Sequence, residues 1–67
     1  MIPVTIIETK SDGYDGWPTK LPALPNVGEL VYNAPNSDED RVAAEVVSRH
    51  FCSDRIILVL GNYTKRM

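Results

Sequence analysis

Ser37-Asp38-Glu39-Asp40-Arg41-Val42-Ala43-Ala44-Glu45-Val46-Val47-Ser48-Arg49-His50-Phe51 is the stretch on which the fold class turns. Read as a helix, it has Ser37 at the cap and acidic residues in the first turn, where they complement the helix dipole. Val42, Ala43, Val46, Val47 and His50 then share one helical face. Read as a strand, Val42, Ala44, Val46, Ser48 and His50 point one way, and Arg41, Ala43, Glu45, Val47 and Arg49 the other. Neither period is clean. Four of the residues from Arg41 to Phe51 are β-branched or aromatic, which weakens the helix without excluding it.

The flanking segments read more simply. Ile56-Ile57-Leu58-Val59-Leu60 has no polar alternation, so it is expected to be the core strand, beginning near Arg55. Gly61-Asn62 can then turn or bulge the chain. On the other side, Val27-Gly28-Glu29-Leu30-Val31-Tyr32-Asn33 reads as a short strand closed by Ala34-Pro35-Asn36-Ser37. Before it, Trp17-Pro18-Thr19-Lys20-Leu21-Pro22-Ala23-Leu24-Pro25 carries too many prolines for a helix or a central strand. Its Trp and two Leu are expected to lay it across a core or its lip. Asp12-Gly13-Tyr14-Asp15-Gly16 reads as turns, and the β-branched opening predicts a first strand over residues 3–9.

At 67 residues the chain suits one small domain, taken as residues 1–67. A domain of this size buries only about 60% of its unfolded surface, so a second copy or a protein partner is an expected supplement to its core. Cys52 is the only cysteine and His50 the only histidine, which excludes an intrachain disulfide and a four-ligand structural zinc site. The longest apolar run is far short of a membrane span and no basic stretch precedes an apolar one at the N-terminus. No membrane association and a cytoplasmic location are expected, which makes Asn62-Tyr63-Thr64 a chance match to a glycosylation acceptor.

Leu24-Pro25-Asn26-Val27-Gly28-Glu29-Leu30-Val31, with Val46-Val47-Ser48-Arg49-His50-Phe51 and Ile56-Ile57-Leu58-Val59-Leu60, resembles a loosely defined group of short bacterial and phage-encoded proteins of unknown function. Members of that group pair a Leu-Pro, Val-Gly-Glu/Asp motif with strands of a small SH3-like β-barrel or meander. The resemblance covers roughly residues 21–61 and implies a fold but no catalytic residues. It tips residues 42–50 to strand. The expected fold is therefore all-β, a small SH3-like barrel or twisted meander of four to five short strands. The alternative is α+β with a helix at about residues 39–50.

The chemistry is sparse. His50, Cys52 and Asp54 fall at spacing two, but side chains along one strand point in parallel and not at one another, as a nucleophile and its base must. Asp12 and Asp15 lack the register of a calcium loop, and neither glycine cluster has phosphate-loop spacing. No enzyme activity, metal or cofactor is expected. From residue 41 onward the chain is net basic by three, with Arg49, Arg55, Lys65 and Arg66 a candidate basic face, although the whole chain has a formal charge of -2. Tyr14, Trp17, Leu21 and Leu24 are the candidate protein interface, because aromatic residues bury much area at little entropic cost. Trp17 equally suits the domain's own core. The expectation is a non-enzymatic protein-interaction or accessory protein, of a size that phages and mobile elements encode, acting as a homodimer or with a protein partner. A small nucleic-acid-associated module is the rival.

Overall fold

The computed structural model describes residues 1–10 and 13–66. Residues 37–51 resolve as one short turn followed by a ten-residue strand. Ser37 does cap, its Oγ accepting a hydrogen bond from the Glu39 N–H at 3.3 Å, but the cap starts only a single 3₁₀ turn, Asp38–Asp40. Arg41 leaves that turn with extended dihedrals, φ -74° and ψ 125°. Strand β5 (Val42–Phe51) follows directly. A helix would have gathered Val42, Ala43, Val46 and Val47 on one stripe. The strand buries Val42 and Val46 fully while pairing its backbone on both sides, and tertiary pairing overrides the local cap signal.

The other strands are β1 (Ile2–Pro3), β2 (Thr5–Glu8), β3 (Lys20–Leu21), β4 (Leu30–Tyr32) and β6 (Ile56–Lys65). The fold is all-β, as expected. Among the described residues it has six strands, two of them ten residues long, in a four-stranded sheet ordered β2-β6-β5-β4 and a two-stranded β1-β3 ribbon. β4, β5 and β6 form an antiparallel meander, and β2 adds parallel to β6. The barrel does not close, because β2 and β4 are the outer strands of the sheet and do not pair with each other.

The predicted first strand is divided at Val4, whose N–H bonds the Thr19 carbonyl at 2.9 Å, so that its two halves join different sheets. The predicted core strand runs five residues past Leu60, because Asn62 takes φ 51° and bulges β6 opposite Ala44 without ending it. Asn is among the few side-chain-bearing residues that accept this conformation readily. A second bulge on β5 at Val47 offsets the pairing the other way. Gly28, at φ 97°, makes a third irregularity: its N–H and the Glu29 carbonyl both bond Val46, at 2.8 and 2.9 Å. No atom crowds a side chain there, so the backbone angle is what calls for glycine.

One face of the sheet carries the core. Val31, Ala44, Val46 and Leu60 form its buried centre, with Ile6, Trp17 and Tyr63 packed against it.

Candidate functional site

The four candidate interface residues separate into two pairs. Tyr14 and Trp17 flank Tyr63, with ring centroids 5.5 and 6.4 Å from it. Glu8, at the end of β2, holds them there: its Oε1 accepts from the Trp17 indole N–H at 2.7 Å and from the Tyr14 backbone N–H at 2.9 Å. Trp17 is thus a lid on the core, half-buried and anchored. Glu8 itself escaped sequence reasoning, and the available signal was the need of a half-buried indole N–H for an acceptor.

The cluster also perturbs one phenol. Burial, and after it the nearby Glu8 carboxylate, hold Tyr63 above the ordinary tyrosine pKa. The folded protein therefore favours the neutral phenol more than the unfolded chain does. The resulting stabilisation is complete below the unfolded value of about 10 and is lost as pH rises through the higher folded value. A near-ultraviolet absorbance titration is expected to show a phenol ionising above the ordinary range, and Glu8→Gln to bring it down.

Leu21 and Leu24 lie elsewhere. With Pro18, Pro25, Leu30 and Tyr32 they line a groove of about 380 Å³ between the 18–25 segment and the outer edge of β4. Within the 18–25 segment Leu21 and Leu24 are half-buried, while Thr19, Lys20, Pro22 and Ala23 are exposed.

Alternation along the strands sets a second apolar surface on the face of the sheet opposite the core. Ile7 pairs with Val59, and Leu30 with Glu45. Ile7 is 46% exposed, Val47 37%, Leu30 54% and Tyr32 54%. Ile57 and Val59 are half-buried among them. Glu45, Ser48 and His50 share this face, across from Leu30, Val59 and Ile57. Antiparallel sheets commonly turn polar side chains to water, so the apolar part of the face calls for an explanation.

The candidate basic residues form two patches. Arg49 and Arg55 lie near the β5–β6 turn, where Arg49 stacks on Phe51 at 5.7 Å and reaches the Pro25 carbonyl at 3.5 Å. Arg55 pairs with Asp54 at 3.5 Å. Lys65 and Arg66 stand at the far end of β6, roughly 30 Å away at about 3.4 Å per residue. There Lys65 donates to the Glu39 carbonyl, while Arg66 donates to the Asn33 carbonyl at 2.7 Å and stacks on Tyr32 at 4.6 Å. A concavity of about 630 Å³ beside them mixes signs, with Asp38 and Arg41 paired at 2.9 Å.

Among the described residues neither reactive-looking sequence cluster assembles a site. His50 Nε2 shares a hydrogen bond with Ser48 Oγ at 3.0 Å, and Cys52 is exposed in the turn, its N–H bonded to the Arg55 carbonyl. The Asp15 carbonyl accepts from Asn33, and Asp12 lies outside the described residues. Among the described residues no three His, Cys, Asp or Glu side chains are placed to hold a metal ion, and no helix is long and apolar enough to cross a membrane. No protein-family model matches the chain, and no curated protein or solved structure matches it.

Proposed function

We propose that the chain is a non-enzymatic interaction or accessory protein of the cytoplasm, of the kind phages and mobile elements encode, which buries the outer face of its sheet against a second copy of itself. The observation that carries this reading is the apolar row Ile7, Val47, Leu30 and Tyr32 standing in water on one side of a sheet whose other side is the core. A chain of 67 residues has little interior to spare, and covering this face adds a second buried layer.

Sedimentation equilibrium over a wide concentration range tests it. The expected result is a discrete dimer whose dissociation constant changes little with salt, since apolar burial is not screened. Ile7→Lys places a charge on the face at a position already half in solvent, and is expected to weaken the dimer at least tenfold while the monomer stays folded. A monomer at every concentration would overturn self-association. Salt-dependent retention on single-stranded DNA or RNA would instead favour the nucleic-acid reading.

A further inference from the structure

We infer that the outer edge of β4 takes an extended segment of another polypeptide as an added antiparallel strand. This deepens the interaction reading and rests on it, but uses the edge of β4, where Leu30 and Tyr32 belong both to the groove and to the outer face.

Along β4 the groups that face β5 belong to alternate residues: Glu29 bonds Val46, Val31 is registered with Ala44, and the Asn33 N–H reaches the Val42 carbonyl. By the same alternation, the N–H and C=O of Leu30 and Tyr32 point away from the sheet. Among the described residues no hydrogen bond reaches them. Unpaired edge groups of this kind are a template for another strand.

The wall opposite cannot complete the ladder. Pro18, Pro22 and Pro25 have no N–H to offer. The bonds the segment does make are directed elsewhere, the Thr19 carbonyl to Val4 and the Pro25 carbonyl to Arg49. The result is a groove with an apolar wall of Leu21, Ala23 and Leu24 on one side and free backbone donors and acceptors on the other. Its volume of about 380 Å³ lies within the usual range for binding pockets, roughly 300–1,000 Å³.

Two features select the occupant. A second copy would bring its own proline-rich wall to the same edge, so wall would meet wall; a single extended segment has no such obstruction. Among the described residues Glu29 is the one charged side chain lining the groove; it stands just before the N-terminal end of β4, with Oε1 accepting from the Asn26 N–H at 2.7 Å and Oε2 left for a cation. An antiparallel strand brings its C-terminal half there. The partner segment is therefore extended, apolar at alternate positions and basic toward its C-terminal side.

The probe is a displayed library of random dodecapeptides, selected on the full chain. Enriched peptides are expected to alternate apolar residues, to carry Lys or Arg in the C-terminal half, and to lose binding when their backbone amides are N-methylated. Leu30→Pro removes one outward N–H without touching the β4–β5 ladder, a position where an edge strand tolerates proline. It is expected to weaken such peptides about fivefold to tenfold, the effect of one lost hydrogen bond. Ala23→Tyr, which fills the groove from the wall, gives an independent loss should the proline variant fail to fold. Peptides that bind both variants as tightly as the parent chain would overturn the groove and leave the interaction reading standing. No enrichment at all would also overturn the groove. Joined to a monomer in sedimentation, that result would remove both.

Discussion

Leu60→Ala is expected to cost about 3 kcal/mol of folding stability, within the 2–5 kcal/mol typical of buried Leu→Ala changes. Leu60 is fully buried at the centre of the cluster formed with Val31, Ala44 and Val46, and Ile6, Trp17 and Tyr63 close around it. Truncating it removes three side-chain carbons, Cγ and its two methyls, from water-free packing. The cavity that remains borders β5 and β6 backbones held by their own ladder, so it cannot collapse freely. For a chain of 67 residues the whole stability is roughly 3–10 kcal/mol at the usual 0.05–0.15 kcal/mol per residue, so the variant should sit close to its unfolding midpoint. Urea unfolding followed by Trp17 fluorescence measures this directly, because Trp17 packs on the same cluster. Ile7→Ala is the matched comparison. With Ile7 nearly half exposed, its loss should cost under about 1 kcal/mol. Equal costs at the two positions would mean that the core does not lie on the Leu60 face.

The parts of this fold that can be read locally are those whose local and tertiary preferences agree. Ile56 to Leu60 is a strand by composition and a strand in the sheet, with Leu58 and Leu60 buried. Residues 37–51 are the opposite case. The Ser37 cap is physically correct, yet it governs one turn, and the choice at Arg41 depends on β4 and β6, which a local pattern does not contain. Asn62 has the right residue type for a positive φ, but whether that angle turns the chain or bulges it is decided by the partner strand across from it.

The candidate sites divide in the same manner. Trp17 was open between core and interface, and the geometry seats it on the core through Glu8. Arg49, Arg55, Lys65 and Arg66 look like one basic region when counted along the chain, but the β5–β6 hairpin carries them to opposite ends of a long strand. The outer apolar face was invisible because alternation reveals which residues share a face without revealing that nothing lies over it. Ile7 and Leu30 are 23 positions apart in sequence and meet on one surface only through the sheet order.

Asn33 shows how much structure can hang on a residue that reads locally as no more than a strand end. It is buried at 3% exposure, and its side chain completes three backbone groups from three separate segments. Its Nδ2 donates to the Asp15 carbonyl at 2.9 Å and to the Asp40 carbonyl at 2.8 Å, while its Oδ1 accepts from the Val42 N–H at 2.9 Å. One amide thus ties the approach to Trp17, the end of the 3₁₀ turn and the first residue of β5. Asn33→Ala leaves all three without that partner, including a donor on a fully buried residue. At about 0.5–1.5 kcal/mol for each net hydrogen bond, with more where the orphaned group stays dry, the expected loss is about 3 kcal/mol. Asn33→Asp separates hydrogen bonding from size. The carboxylate keeps the acceptor for Val42 but aims negative charge at two carbonyls, so the folded state should hold the acid protonated and raise its pKa above the unfolded value of about 3.9. Stability of that variant is then greatest below that value and falls as pH rises through the folded pKa, a slope opposite in sign to ordinary acid denaturation. Urea midpoints across the acid range decide it. An Asp variant as stable near neutrality as in acid would mean that the Asp15 and Asp40 carbonyls do not depend on the Asn33 amide.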